Sequence, residues 1–435
     1  MDAVPVDTDT RTDPSSGSQA TSAPEMTGDG AAACPHLRKY SLTPPEDRPL
    51  DEPDYFGELR RESPASTVTL GESGSSWLFT AYEDVKAILA DTRFSSSPLT
   101  AGFPLEGAPG SDSPVAVTTM IRSDPPVHTR LRRMVAKDFM PKAVEGYRDF
   151  VCATIDARIE SLASLPQPLD LIESFALAVP SDVISKILGV PEEDEGMFQE
   201  LTERMTTLSL TREEQYEVIG EFAGFCDRLI ALKQSDPADD LMTRLTHEQL
   251  LTGELTRDQL AGFIIMLVSA GHDTTAGMFG LSVLTLLKHP DQLELLRTGA
   301  RSWDSAVEEL VRIHTVVRMG PRRAATQDIQ VGDTLVRKGE GVIASILAAN
   351  HDESQFGPSG FAEFSIPEEK PKHLGFGFGP HQCVGQNLAR LELGYGLPRL
   401  FERYPDLRLA DDDITRLRFR EGRAFFGIRE LRVHL

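Results

Sequence analysis

Cysteine is scarce in this chain, and long apolar runs are absent. The 435 residues include four cysteines, Cys34, Cys152, Cys226 and Cys383, with no closely spaced pair. That pattern excludes a disulfide framework and a zinc knuckle, and it fits a reducing compartment. No stretch approaches the roughly 18 consecutive apolar residues of a membrane span, and no basic-then-apolar signal region opens the chain. We therefore expect a soluble, cytoplasmic protein.

Positive charge is also in short supply. Lys and Arg total 44 against 67 Asp and Glu, which gives a net charge of -23. Nucleic acid and anionic membranes would be repelled, so neither is expected as a partner. Residues 1–33 carry almost no large apolar side chains and are predicted to be a disordered tail. Residues 34–435 are predicted to form a single domain. The protein is predicted to be a monomer.

The most informative segment is the run FGFGPHQCVG, from Phe376 to Gly385. It places Cys383 in a glycine-punctuated loop just before leucines that recur at helical spacing between Leu388 and Leu397. Free N–H groups at a helix N-terminus favour the thiolate, which is the form that binds a metal. Gly379 and Gly385 would let the loop lie close to a flat cofactor. The pattern predicts that Cys383 is a haem-iron ligand covered on one side by Phe376.

Two plainer interpretations of this cysteine compete with that prediction. A lone cysteine in a turn is more often a buried, inert side chain. Four matching flanking positions and the other motifs of the chain argue against that interpretation. A metal site made of His373, His381 and Cys383 is the second alternative, but zinc is not expected without another cysteine pair.

A second motif lies inside the longest helical pattern, which runs from about Thr256 to Lys288. Thr256 and Gln259 form a capping-box pattern at its start. The segment is apolar on nearly all sides, so we expect it to be buried. The polar cluster Ala270–Thr275 interrupts it, and buried polar groups need partners or a function. Alternatively, the adjacent threonines kink a structural helix by bonding back to the preceding turn.

Together these motifs resemble the cytochrome P450 family of thiolate-haem monooxygenases, in its soluble bacterial form, from about Cys34 to the C-terminus. The resemblance implies a mainly α fold with small β-sheets, in which haem b lies between a long distal helix and a proximal cysteine loop. It makes Cys383 the axial iron ligand. It also places three further residues against the haem: Ala270, Phe376 and Gly385.

The resemblance also gives the polar cluster a role. Thr274 would assist dioxygen activation, and Asp273 would relay protons from solvent. His272 lies at a variable position of the family motif and receives no role.

The basic segment DPPVHTRLRRMVAKDF has two cationic faces. At about 100° per residue, Arg133 and Lys137 share a stripe with Arg130, whereas His128 and Arg132 lie near the opposite side. By resemblance, His128 and Arg132 hold a haem propionate. The other three would face an acidic redox partner, a ferredoxin served by its reductase and NAD(P)H. The alternative for each single charge is a solvated face.

Further propionate contacts are expected from Arg323 and His381, because a carboxylate favours a bidentate arginine and a positioned imidazole. Arg323 matches the family pattern better than Arg322, since it lies five residues before Asp328. His373 is a weaker candidate for an additional contact.

Glu309 and Arg312 stand three residues apart on one helix face. A surface ion pair of little energetic value is the default interpretation. In the resembled family the two form a buried structural pair, completed by an arginine that precedes the cysteine loop. This chain has Glu368 at that position, so we expect His351 or Lys370 to complete the network.

The predicted reaction is hydroxylation or epoxidation of a medium-sized, largely apolar metabolite, in natural-product metabolism. The alternatives are a peroxide-driven peroxygenase, against which the Asp273–Thr274 pair argues, and a non-catalytic haem sensor. By resemblance the pocket walls come from residues 92–120, 200–212, 266–270, 316–320 and 424–426. The pocket residues singled out are Val316, Met319, Phe425 and Phe426.

Overall fold

Helices dominate the part of the chain that the structure describes. This structure is a computed structural model, and it describes residues 38–70, 74–104, 119–205, 210–358, 360–420 and 425–435. The predicted tail at residues 1–33 lies outside the described residues, so the tail and the single-domain boundary at residue 34 stay predictions. Parts of the predicted pocket loops also lie outside them: residues 105–118, 206–209 and 424.

The predicted mainly α composition is confirmed. The α-helices are α1 (Asp54–Glu62), α2 (Tyr82–Ala90), α3 (Val127–Ala136), α4 (Pro141–Leu162), α5 (Ala178–Leu188), α6 (Glu195–Met205), α7 (Arg212–Ser235), α8 (Leu241–Leu245), α9 (Arg257–Lys288), α10 (Pro290–Arg297), α11 (Trp303–His314), α12 (Ile346–Asn350), α13 (Glu353–Phe356) and α14 (Gln386–Arg403). Short 3₁₀ segments cover Met120–Arg122, Lys137–Phe139, Glu192–Asp194, Gly379–His381 and Ile414–Arg416, and π-helical turns cover Ile172–Leu177 and Thr246–Leu250.

Helix α9 begins and ends where the sequence predicted. The Thr256 hydroxyl accepts a hydrogen bond from the N–H of Gln259, and the Gln259 side chain accepts one from the N–H of Thr256. This capping box satisfies two N–H groups that the first turn of a helix leaves unpaired. At 1.5 Å per residue α9 spans about 48 Å, which is long enough to cross a domain of this size.

The main hydrophobic core surrounds α9. Apolar side chains of α4, α5, α7, α11 and α14 belong to it, including the predicted leucine stripe of α14: Leu388, Leu391, Leu393 and Leu397. A Cβ atom at Gly396 would lie 2.8 Å from the Phe279 ring. Glycine therefore lets α14, the helix that follows the cysteine loop, pack closely against α9.

The strands form small sheets. They are β1 (Arg38–Lys39), β2 (Ala65–Thr69), β3 (Ser75–Phe79), β4 (Phe94–Ser95), β5 (Leu169–Asp170), β6 (Arg322–Ala325), β7 (Ile329–Val331), β8 (Thr334–Val336), β9 (Gly341–Ala344), β10 (Arg408–Leu409) and β11 (Arg432–His434). The largest sheet has the order β1-β2-β3-β9-β6-β4, a second has the order β10-β11-β5, and β7 pairs with β8.

The six-stranded sheet joins segments that are distant in sequence. Strands β2 and β3 form an antiparallel hairpin. Strand β3 then pairs in parallel with β9, Trp77 opposite Val342, and β9 pairs antiparallel with β6, Arg323 opposite Val342. This register fixes the position of Arg323 in a rigid sheet.

Candidate functional site

The cysteine loop has the local structure that the sequence predicted. Its 3₁₀ turn is followed by α14, whose N-cap is Gly385. The N–H of Cys383 donates to the carbonyl oxygen of Phe376 over 2.8 Å, which folds the loop back on itself. The backbone N–H groups of Gly385 and Gln386 are directed at the sulfur of Cys383. The N-terminus of α14 is therefore aimed at the thiol.

Opposing effects act on the protonation of Cys383. Loss of solvation by the surrounding protein raises the pKa of the thiol. The two N–H groups and the guanidinium groups of Arg132 and Arg390 lower this pKa, but by less than the loss of solvation raises it. The thiol of Cys383 is nevertheless accessible. The thiol of Cys226, by contrast, is buried, and burial raises its pKa. An accessible sulfur that keeps its proton until a cation binds is suited to coordinate a metal.

The backbone around the sulfur leaves room for a flat group. Gly379 has φ +70°, and a Cβ there would lie 2.5 Å from the carbonyl oxygen of Leu89, so only glycine fits. A Cβ at Gly385 would meet no atom within 4 Å. Ala270 is exposed although it lies in the middle of α9, whose flanking turns are buried. The chain thus keeps accessible surface on the cysteine loop and on the centre of the long helix.

Four basic residues from different parts of the chain form a second component of the site. The rings of His128 and His381 lie 4.0 Å apart. Arg132 donates to the carbonyl oxygen of Gln382 over 2.6 Å, and Arg323 is 7% exposed in β6. The cluster was predicted residue by residue as the propionate site, and the structure brings it together beside the cysteine loop.

The electrostatics of this basic cluster favour an anion. Burial lowers the pKa of Arg323 to about 10. Burial also lowers the pKa of His381, to about 3, and the charges of Arg323 and neighbouring basic groups add to this shift. The nearby carboxylate of Asp124 is already bound to Ser95 and Ser96. Among the described residues, the buried Nε2 of His128 has no hydrogen-bond partner. The residues therefore fit a carboxylate-bearing flat cofactor such as haem.

Helix α9 continues through the polar cluster Ala270–Thr275 without interruption. The Thr274 hydroxyl donates to the carbonyl oxygen of Ala270 over 2.6 Å, the back-bonding of the structural interpretation. Thr274 is also half-buried on the face that exposes Ala270. Because residues i and i+4 share a helix face, Thr274 borders the same accessible strip.

Asp273 is the one carboxylate of this cluster, and it is only 1% exposed. Its Oδ1 accepts from Nη1 of Arg420 over 3.1 Å and lies 2.9 Å from Nδ1 of His272. Neither contact was predicted. His272 precedes the acid directly, whereas no local pattern could have indicated Arg420, which lies 147 residues away.

The cationic stripe on α3 faces outward as predicted, with His128 buried on the other side. Two of its charges have acidic neighbours. Lys137 lies 3.0 Å from Glu248, and Arg130 lies 3.9 Å from the carboxylate of Glu254. Among the described residues none forms an ion pair with the exposed Arg133. The stripe is thus less positive than its sequence implies.

Glu309 and Arg312 form a buried bidentate pair with N···O distances of 2.8 and 2.6 Å, so the surface interpretation is wrong. The expected completion by His351 or Lys370 is also wrong. The Nδ1 of His351 bonds to the carbonyl oxygen of Leu347, and Lys370 pairs with Asp304 at the surface.

Arg312 instead donates to the carbonyl oxygen of Asn350 over 2.5 Å and stacks on the Phe356 ring. Glu368 is turned toward Arg301. Among the described residues, a backbone carbonyl and an aromatic face thus complete the contacts of Arg312.

A second buried network was missed. Glu308 accepts from Nε and Nη2 of Arg390 over 2.5 and 2.9 Å and lies 2.9 Å from Nε2 of His373. The Nδ1 of His373 accepts from the N–H of Gly375, so this histidine is not available to the propionate cluster, and that prediction is wrong. The Arg390 guanidinium lies 4.3 Å from the ring centroid of Phe376. The network therefore holds Phe376 in place, and the carbonyl oxygen of Phe376 accepts the hydrogen bond from the N–H of Cys383.

Glu308→Gln will lower the free energy of unfolding at pH 7 by about 2 kcal/mol, less than for a fully buried pair because Arg390 is partly exposed. Burial alone would raise the pKa of Glu308, but its bonds to His373 and Arg390 outweigh this and lower it from 4.5 to about 2. The stabilisation is therefore complete above about pH 4.5 and is lost as the pH falls toward 2. Denaturant titrations at pH 7 and below pH 4 measure the change, with Glu402→Gln, whose carboxylate pairs with Arg399 on the surface, as control. Equal effects of the two substitutions would contradict the prediction.

The predicted pocket residues fall into two groups. The N–H of Phe426 donates to the carbonyl oxygen of Val316 over 2.9 Å, and both residues approach Gly277 of α9. Met319 and Phe425 are half-buried, and the carbonyl oxygen of Met319 accepts from the Tyr40 hydroxyl. The structure brings Val316 and Phe426 together against α9, one turn beyond Asp273.

Within the described ranges, no group of three or more His, Cys, Asp and Glu side chains is arranged to hold a metal ion. The alternative site made of His373, His381 and Cys383 is therefore not formed. None of the described helices is both long and apolar enough to span a lipid bilayer.

The described residues form a helical protein that combines an accessible loop cysteine, a long buried helix and a basic cluster beside the cysteine loop. This is the arrangement of a thiolate-haem enzyme. The profile of the family described as "Cytochrome P450" matches residues 303–416. The chain is 39% identical over 397 residues to cytochrome P450-SU2 of Streptomyces griseolus, covering 90% of this chain and 97% of that protein.

Two solved structures agree with this match. The mycinamicin VIII C21 methyl hydroxylase of Micromonospora griseorubida, bound to mycinamicin VIII, superposes with a TM-score of 0.81 at 37% identity, covering 89% of this chain and 97% of that chain. A putative thioether synthase in the tailoring of griseoviridin has a TM-score of 0.84 at 30% identity, covering 92% and 100%. The chain belongs to the cytochrome P450 family and is a P450 monooxygenase. The family implies a haem cofactor.

Proposed function

We propose that this monooxygenase inserts one oxygen atom of O2 into a medium-sized, largely apolar natural product, using haem b and electrons from a ferredoxin. The observation that carries the proposal is the accessible Cys383 thiol beside four basic residues that leave His128 Nε2 unbonded. When bound there, haem supplies the oxygen activation that the protein's own side chains lack. Relatives named as a mycinamicin hydroxylase and as pentalenic acid synthase support a natural product as substrate.

The chain's residues divide the remaining work. Cys383 would hold the iron, with Phe376, Gly385 and the Ala270 surface against the haem faces. Four residues would hold the propionates: His128, Arg132, Arg323 and His381. Thr274 would donate a hydrogen bond on the oxygen-binding side, and Asp273 would supply its proton. Glu309 and Arg312 would keep the region under the cysteine loop rigid, because their charges are fully paired inside the protein.

The substrate would lie beside the Val316–Phe426 contact, along the accessible strip of α9 that carries Ala270 and Thr274. Val316, Met319, Phe425 and Phe426 offer apolar and aromatic surface, which favours apolar contact over hydrogen bonding. Hydroxylation and epoxidation both fit such a wall. Cytoplasmic location and a monomeric state stay predictions from the sequence.

The test is turnover of a panel of apolar natural products by the purified holoenzyme with a surrogate ferredoxin, its reductase and NADPH under ¹⁸O2. Binding is first screened by the spectral change that a compound causes when it displaces water from the haem. Incorporation of one labelled atom, dependent on ferredoxin, supports the proposal. Products formed only with added hydrogen peroxide would identify a peroxygenase instead.

Arg133→Glu will raise the ferredoxin concentration needed for half-maximal turnover several-fold at low salt, because it places an acid where an acidic partner would dock. The effect will shrink as ionic strength rises. Steady-state reduction rates measure it. Arg148→Glu, on α4 and paired with Glu145, is the control for charge reversal elsewhere. If both variants behave alike at low salt, the stripe does not receive the ferredoxin.

A further inference from the structure

We propose that Arg420 is a positioning residue that holds the carboxylate of Asp273 and ties it to the wall of the substrate pocket. This inference rests on the proposed role of Asp273 as proton donor. It goes beyond that role because it identifies a hairpin residue, far from the helix motif, that sets where the acid points.

The ion pair that carries the inference is inside the protein. The side chains of Arg420 and Asp273 are 10% and 1% exposed, and Nη1 of Arg420 lies 3.1 Å from Oδ1 of Asp273. A carboxylate this deeply buried needs a cation to stay ionised. Nδ1 of the neighbouring His272 lies 2.9 Å from the same oxygen. Arg420 brings a guanidinium into hydrogen-bonding contact with this buried carboxylate.

Arg420 belongs to a hairpin that also builds the pocket wall. Its N–H donates to the carbonyl oxygen of Gly427, and Phe419 pairs with Ile428 by a β-bridge. The Phe419 ring stacks on Phe426 at 5.0 Å with an interplanar angle of 18°. Arg420 and Phe426 therefore lie on one hydrogen-bonded unit, on opposite strands.

The same hairpin touches α9 at two levels one helical turn apart. Arg420 reaches Asp273, and the carbonyl oxygen of Phe426 lies 2.7 Å from where a Cβ of Gly277 would be. Any side chain at Gly277 would push this strand away. The guanidinium of Arg318 lies 3.3 Å from the Phe426 ring centroid and is held by the carbonyl oxygens of Leu50 and Asp51. The hairpin is thus fixed on both sides, and a displacement of Phe426 by a substrate is transmitted to Arg420.

A functional consequence follows from this connection. Asp273 can pass a proton only if its carboxylate can turn away from Arg420, so the strength of the pair sets how readily the acid works. Removing Arg420 takes a positive charge and a hydrogen-bond donor away from Asp273, which favours the protonated carboxyl group and loosens its direction. Proton delivery would then no longer be coupled to electron delivery, and reduced oxygen would be released as peroxide or water.

Arg420→Met tests the inference, with Arg418→Met as matched control because Arg418 is exposed on the same strand. In holoenzyme supplied with ferredoxin, reductase and a turned-over substrate, Arg420→Met is expected to lower product formed per NADPH several-fold. Its solvent isotope effect should change, and its spectrally measured substrate affinity should not. Arg420→Lys is expected to recover part of the coupling, which a purely structural role would not predict.

An infrared measurement tests the ion pair without turnover. Arg420→Met should show a protonated-carboxyl band that the wild type lacks and that disappears in the Arg420→Met/Asp273→Asn double variant. Absence of the band would overturn the inference. If Asp273→Asn leaves coupling intact, the proposed proton role fails, whereas the infrared result still decides whether Arg420 holds the acid. If Asp273→Asn uncouples and Arg420→Met does not, the inference fails and the proposed function stands.

Discussion

Replacing Cys383 by serine will abolish the strongly red-shifted Soret band of the reduced CO adduct and reduce monooxygenase turnover to background. A thiolate donates far more electron density to iron than a hydroxyl group, and the P450 reaction depends on that donation. The three described cysteines are free, and Cys383 alone among them is exposed. The measurement is a reduced-CO difference spectrum together with product analysis.

Cys152→Ser is the control, because Cys152 is a free, half-buried cysteine on α4. It should leave the spectrum and turnover unchanged. Retention of the band in the Cys383 variant would remove the basis of the ligand assignment, and loss of the band in both variants would point to a folding defect.

Thr274→Ala will keep the haem and the Soret band of its reduced CO adduct, but it will uncouple electron consumption from product formation. Removing a positioned proton donor commonly costs about 100-fold or more in the step that it assists, so product per NADPH should fall at least about tenfold while NADPH consumption continues. Peroxide release and product yield, measured in the same reaction, give the ratio.

Thr285→Ala supplies a matched control on the same helix. The Thr285 hydroxyl bonds back to the carbonyl oxygen of Leu281 over 2.8 Å, as that of Thr274 bonds back to Ala270, but Thr285 is fully buried and its hydroxyl also lies 2.7 Å from Nε2 of His314. Loss of such a bond alone should not uncouple the enzyme. Equal uncoupling by both substitutions would mean that helix structure, and not a proton donor at residue 274, controls the coupling.

Features that depend on short stretches of sequence were predictable. The capping box of α9, the leucine stripe of α14 and the bend of the cysteine loop follow from residues within a few positions of one another. The opposite orientations of His128 and Arg133 on α3 also follow from helical geometry. The family resemblance then predicted which distant segments lie close together, and no local pattern could have shown this.

Contacts between distant segments were not predictable in this way. The Glu308–Arg390 pair joins two helices 82 residues apart, although its acid stands next to the expected Glu309. The completion of the Arg312 network was predicted wrongly because a backbone carbonyl, which every residue carries, replaced a side chain. Partner choice across a fold depends on packing, and packing is not encoded by the spacing of charges.

The strand order of the six-stranded sheet has a consequence for how the chain folds during synthesis. Strand β3 pairs with β9, so residues 75–79 have their partner at residues 341–344. The β2-β3 hairpin therefore emerges from the ribosome with an open edge that stays uncovered while more than 250 further residues are made. Slow elongation should favour aggregation through this edge, and a chaperone that shields extended strands should raise the yield of soluble enzyme.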